Sequence, residues 1–124
     1  MQKIEEEARK FMQDRLIITE VMTAELYEAQ AGETAIFPKE KALEYLALGL
    51  TSEAGEVAGK VKKLIRDGKG DKKAIASEIG DVLWYCAMLA KETDVPLNDI
   101  MKENLRKLHS RKERGTLSGS GDER

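Results

Sequence analysis

The chain contains one cysteine (Cys86), one histidine (His109), two prolines and 5% aromatic residues. Each scarcity closes off a class of explanation. A disulfide framework needs cysteine pairs, and a Cys/His zinc cluster needs several such ligands. The longest apolar run, Val82 to Ala90, falls far short of the about 20 residues that a membrane-spanning helix requires. Met1 to Lys10 is charged and lacks the apolar stretch of a signal peptide, which makes the cytoplasm the expected location. Lys plus Arg number 21 against 23 Asp plus Glu, a formal net charge of -2. Without a basic surplus to neutralise polynucleotide phosphates, neither a nucleic-acid polymer nor a membrane is an expected partner.

What is present is 124 residues, 41% apolar and 35% charged, enough for one domain. No useful period-2 alternation exists from which to build a sheet. Three-to-four apolar spacing instead predicts helices. The first, continuous or broken into two, covers about residues 5–31 through Ile4, Ala8, Phe11, Met12, Leu16, Ile17, Val21 and Met22. A connection containing Gly32 and Thr34 follows. The second helix runs from about Pro38 to Arg66 and ends at Asp67-Gly68-Lys69-Gly70-Asp71, where two glycines among charges favour a turn. The third covers Lys72 to Thr93, and the fourth Pro96 to about Arg114. Both prolines precede helices, as suits a first helical turn. Short connections between long helices imply an all-α, antiparallel bundle of about four main helices. Residues 1–114 are expected to form the domain, and 115–124 a flexible tail unless a ligand or partner orders it. Gly55, Gly59 and Gly80 sit mid-helix at a cost of about 1 kcal/mol each relative to Ala; close helix approach would explain them.

Three polar stripes carry the chemical signal. Glu53 and Glu56 project from one helix face, which continues to Lys60 and Lys63. Glu78 and Asp81 repeat the spacing on the third helix, followed by Tyr85. Asn104, Lys107 and Arg111 share a face of the fourth. The acids of the third helix stand among Ala74, Ile75, Ile79, Val82, Leu83 and Trp84, so that helix reads as largely buried. A buried carboxylate must be protonated, paired or bound to a cation. Two facing acid pairs would offer oxygen ligands suited to Mg²⁺ or Mn²⁺. Taken singly, a Glu-x-x-Glu is most often a solvated face, and the lysines and arginines are ordinary surface charges. On the residues alone both readings stand. A di-iron bundle fails, because it wants Glu-x-x-His and Arg106 stands three before His109. His109 and Cys86 read as structural.

Leu-Gly-Leu-Thr-Ser-Glu-Ala-Gly-Glu-Val-Ala (48–58), Glu-Ile-Gly-Asp-Val-Leu-Trp-Tyr (78–85) and Asn-Leu-Arg-Lys-Leu-His-Ser-Arg (104–111) together resemble MazG-like nucleoside triphosphate pyrophosphohydrolases over about residues 45–124. The resemblance implies an all-α enzyme that releases pyrophosphate from a nucleoside triphosphate and leaves the monophosphate, as in house-cleaning of nucleotide pools. It implies Mg²⁺ at Glu53, Glu56, Glu78 and Asp81, and a nucleotide held by Tyr85, Asn104, Lys107 and Arg111. Lys60 and Lys63 are further substrate-binding candidates from the stripe. Glu53 and Glu56 are the candidates for activating water. Family members are dimers or tetramers with sites near subunit contacts, so a homodimer or homotetramer is expected. Ser52-Glu53 replaces the adjacent glutamates of full MazG proteins and resembles the short, single-domain and phage-type branch, as does Lys-Glu-Arg-Gly…Gly-Ser-Gly-Asp (112–122). Phe37 and Trp84 are candidate base neighbours. The alternative is a non-catalytic helical or regulatory module that uses its acidic stripe to bind a basic partner.

Overall fold

The computed structural model describes the backbone of residues 2–17 and 21–124, and the side chains of 2–10 and 21–124. Among the described residues, five α-helices and one short 3-10 turn follow one another: α1 (Gln2–Ile17), α2 (Ala24–Gly32), the turn Lys39–Lys41, α3 (Ala42–Asp67), α4 (Lys72–Glu92) and α5 (Leu97–Glu113). No strand occurs among the described residues, so the all-α expectation holds. No described helix is long and apolar enough to cross a membrane.

Local chemistry sets the boundaries. Gly68 ends α3 in the left-handed region (φ 67°), a conformation that costs glycine nothing. Asp71 then caps α4 by accepting from the Lys73 amide at 2.8 Å, satisfying one of the amides left open at a helix start. Thr23 caps α2 the same way, accepting from the Leu26 amide at 3.0 Å. That cap divides the expected first helix in two. The apolar residues assigned to its buried face do not form one on this chain: Ile4, Ala8, Val21 and Met22 are exposed. Phe11, Met12, Leu16 and Ile17 have side chains outside the described residues.

The buried cluster is small, comprising Ala31, Ala42, Leu46, Ala87 and Met88, with Tyr27, Phe37, Trp84, Tyr85, Leu89 and Leu97 packed around it. It joins the start of α3 to the end of α4, with α2 and α5 packed against α4. Burying a side chain such as Leu46 contributes about 1.5–3 kcal/mol. α3 and α4 run antiparallel. Leu46 and Met88 share the core, and one turn along, a Cβ on Gly49 would clash with the edge of the Tyr85 ring.

This contact corrects the expectation for the mid-helix glycines. A Cβ on Gly55, Gly59 or Gly80 would meet nothing within 4 Å, because those positions face away from the α3–α4 seam of this chain. α4 also departs from the expected burial. Its buried residues are Ala87, Met88 and Ala90, whereas Ile79 and Leu83 are about half exposed.

The two kinds of glycine should therefore respond oppositely. Gly49→Ala should lower Tm, because the Tyr85 ring and its helix must move, with a cost of about 1–3 kcal/mol for overpacking. Gly55→Ala should leave Tm unchanged or raise it, by about 0.5–1 kcal/mol of helix propensity. Thermal melts of both variants test this; equal losses would mean that the Gly49 approach does not set the seam.

Candidate active site

Continuing the α3–α4 seam one turn beyond Gly49 and Tyr85 reaches Glu53 on α3 and Asp81 on α4. Glu78 lies three residues further back along α4, on the same stripe. The seam thus brings Glu53, Glu78 and Asp81 together, each offering a carboxylate oxygen within 4.8 Å of the others. Glu53 and Glu78 are half-buried, and Asp81 is exposed. The buried-acid expectation thus gives way to a cluster at the rim of the seam, where α4 is open to solvent.

Lys60 Nζ stands 4.0 Å from Glu78 Oε1. This is a partly exposed pair that offsets only part of the negative charge. Loss of hydration raises the Glu53 pKa above the ordinary carboxylate range, and the charges of Asp81, Glu78 and Glu56 raise it further. An all-oxygen donor set that repels itself in this way is chemically matched to a hard divalent cation.

Beside the acids lies a cavity of about 310 Å³ lined by Thr34, Glu53, Asp81, Trp84 and Tyr85. Its aromatic wall is fixed from behind. Trp84 meets Tyr85 edge-on at 5.0 Å between centroids, and Phe37 stacks on Tyr45 at 5.8 Å. Trp84 Nε1 donates to Thr34 Oγ1 at 2.8 Å, and that hydroxyl donates to the Ala31 carbonyl at 2.8 Å. The Tyr85 pKa is raised by burial first, then by the nearby Tyr45, Glu53 and Asp81. Thr34 is the lining residue that the sequence did not single out as a site. It sits in a connection, and only the fold brings that connection over α4.

The remaining candidates fall outside the three-carboxylate group. Glu56 is exposed and outside the three-carboxylate group, although its charge reaches Glu53. Lys63 is exposed and close enough to Asp67 to favour that residue's charged form. Asn104 and Lys107 line a different cavity of about 520 Å³, with Val95, Asp99, Ile100, Glu103, Asp122 and Glu123. Arg111 is buried and donates to the Asp122 carbonyl at 2.6 Å. Within one chain, therefore, α5's stripe and the three acids share no lining residue among these cavities.

The family model of the MazG nucleotide pyrophosphohydrolase domain matches residues 41–116. The chain belongs to this family. The matched span contains α3, α4 and α5, and with them all three acids. The MazG-family chain is also 43% identical over 114 residues to the Gene 37 protein of Mycobacterium phage L5, covering 83% of this chain and 100% of that protein. It is 36% identical over 61 residues to a phosphoribosyl-ATP pyrophosphatase of Bacillus cereus (strain AH820), covering 49% of this chain and 51% of that protein. A phosphoribosyl-ATP pyrophosphatase of Bacillus mycoides (strain KBAB4) is 34% identical over the same length. No solved structure matches the chain. Family and pyrophosphatase relatives together support a nucleotide pyrophosphohydrolase activity.

The raised Glu53 pKa has a signed consequence for the metal-free protein. The folded state holds the Glu53 proton more tightly than the unfolded state, so this group's stabilising contribution is present at acid pH and lost as pH rises through the folded value. Glu53→Gln should raise Tm in EDTA at neutral pH, with the gain shrinking towards about pH 4, the ordinary glutamate range. A gain that grows on acidification would contradict the assigned repulsion.

Proposed function

We propose that the chain is a Mg²⁺-dependent nucleoside triphosphate pyrophosphohydrolase, with Mn²⁺ as a possible substitute, converting ribo- or deoxyribonucleoside triphosphates to the monophosphate and pyrophosphate. The observation that carries this reading is the convergence of Glu53, Glu78 and Asp81 from two helices beside an aromatic-walled cavity. A cytoplasmic role in clearing nucleotide pools follows from the same reading.

In the proposed mechanism Glu53, Glu78 and Asp81 hold the cation, with Glu56 one turn along the α3 stripe. When bound, the cation neutralises phosphate charge and promotes ionisation of water. Water attacks a phosphorus of the triphosphate, the bond to the departing phosphate oxygen breaks, and pyrophosphate leaves. Glu53 or Glu56 takes the proton; the raised proton affinity of Glu53 suits it to the task. Lys60, Lys63, Lys107 and Arg111 offset the phosphate and leaving-group charge, and the Asn104 amide donates a hydrogen bond to the nucleotide. Trp84 and Tyr85 offer flat apolar surface to the base or sugar.

Oligomerisation forms part of this reading. Met101, Leu105 and Leu108 make one apolar face of α5 and are 50%, 56% and 39% exposed. Val61 and Ile65 on α3 and Ile79 on α4 are also exposed along the part of the hairpin beyond the core. Apolar surface of this extent is best stabilised by burial against another subunit. A homodimer or homotetramer would cover it and bring one chain's α5 towards another's acids. Light scattering coupled to size-exclusion chromatography should give a multiple of 13.9 kDa; a monomer at micromolar concentration would overturn the assembly.

The activity is tested with a panel of canonical and modified nucleoside triphosphates plus Mg²⁺, read as pyrophosphate release. Asp81→Asn or Glu78→Gln should abolish metal-dependent turnover while leaving the helical circular dichroism spectrum intact. Wild-type turnover in these variants would remove the acids from the mechanism. A wild-type protein inert towards the whole panel would favour a non-catalytic helical module.

A further inference from the structure

Trp84 is the single tryptophan of the chain, and it forms part of the wall of the cavity of about 310 Å³ beside the acids. The torsion that turns an indole about its Cβ–Cγ bond is broad and close to two-fold, so apolar packing alone leaves the ring a choice of orientations. Tyr85 meets the ring edge-on at 5.0 Å between centroids, and Phe37 does so at 6.5 Å. Neither contact distinguishes the edge that carries the N–H. The hydrogen bond from Trp84 Nε1 to Thr34 Oγ1, at 2.8 Å, does.

Thr34 is itself held. Its amide and its hydroxyl both donate to the Ala31 carbonyl, at 3.0 and 2.8 Å, and Ala31 is a buried member of the core cluster. The connection after α2 therefore relays the position of the core to the indole through one hydroxyl. The single proton of that hydroxyl goes to Ala31, which makes Oγ1 an acceptor towards Trp84, and the indole has one donor to give. With that donor committed, Trp84 offers the cavity only carbon surface, which suits stacking against a planar ring. Glu53 and Asp81 line the same cavity, so a ring stacked on Trp84 fits a molecule whose other end carries phosphates to the acids.

We propose that Thr34 is a positioning residue for substrate binding: it fixes the Trp84 indole, with the N–H turned to the α2 connection, so that the ring receives the base of the nucleotide on its carbon surface. This rests on the proposed pyrophosphohydrolase reading, in which Trp84 faces the base or sugar. Thr34 acts through Trp84 and on the base side alone, so its effect belongs in KM and leaves the phosphate end untouched.

The test uses the full chain and the best triphosphate of the panel. Thr34→Val, which keeps the shape and removes the hydroxyl, should raise KM by about two- to tenfold, the scale of one neutral hydrogen bond, with the loss in kcat/KM carried by KM. Thr34→Ser should restore the wild-type value. The inhibition constant of inorganic triphosphate, which has no base, should not follow the rise in KM. Trp84→Phe keeps a ring and has no N–H; in that background Thr34→Val should add nothing, because both changes remove one contact. A further loss there would mean that Thr34 touches the substrate itself, and a fall in kcat at constant KM would place its effect on the acids; either overturns the proposal. A second measurement needs no turnover. With one tryptophan, the protein gives one indole N–H resonance, which Thr34→Val should move upfield and expose to faster exchange and Thr34→Ser should retain. An unchanged resonance in an active Thr34→Val enzyme would overturn the role of Thr34 alone, whereas a wild-type protein inert towards the whole panel would overturn the functional reading and the base-facing role with it.

Discussion

The close approach of α3 to α4 at Gly49 sets the geometry on which the acid cluster depends. Interlocking side chains set the register of a helix pair, and the Tyr85 ring packed where a Gly49 Cβ would clash is such a contact. Leu46 and Met88 seat the seam one turn towards the core, and Glu53 meets Asp81 one turn away from it. A slip of a single residue would rotate one helix by about 100° relative to its partner and disperse the carboxylates. The packing of an apolar ring thus determines the electrostatics of a site built from charges.

That site sits where the seam leaves the core, and this location shapes its chemistry. Fully buried, the carboxylates would take up protons or demand salt bridges. Fully solvated and apart, they would not influence one another. At the rim, loss of hydration first and then the charges of the neighbouring carboxylates raise the Glu53 pKa, while room is left for a cation and its ligands. The aromatic wall beside them is held by Thr34 from the preceding connection, so the core, the cavity and the acids form one continuous structure.

The chain leaves two things unfinished. Its buried core consists largely of alanines, with Leu46 and Met88 as the large side chains, whereas α5 and the far part of the hairpin keep apolar residues exposed. Its basic stripe on α5 and its acids on α3 and α4 likewise occupy separate surfaces. Both incompletions have the same physical remedy in the proposed assembly, which would bury the apolar faces and bring opposite charges together. Residues 115–124 turn back on the end of α5 and are held there by hydrogen bonds from the Arg111, Arg114 and Arg124 side chains to backbone carbonyls.

Much of this was legible in the residues. The 3.6 period, the Gly68 stop and the turn at 67–71 mark the end of α3 and both ends of α4 within a residue, whereas α3 starts at Ala42, four residues after the expected Pro38, because a 3-10 turn fills Lys39–Lys41. The Glu-x-x-Glu and Glu-x-x-Asp spacings name the acids, because i, i+3 residues on a helix must share a face. The break before α2 was less legible, since a threonine cap differs little from a threonine within a helix. The purpose of the glycines was misread: spacing shows where a glycine lies along a helix and not which side a neighbour occupies. The sequence alone therefore determined the helices, the family motifs and the residues available for chemistry, all of which depend on neighbours along the chain. Only the tertiary structure decided that Glu53, Glu78 and Asp81 converge while Glu56 stands apart, that Thr34 joins the cavity, and that Arg111 is enclosed by 115–124. Those outcomes depend on helix register and on the return path of the chain, which are set by contacts between residues distant in sequence.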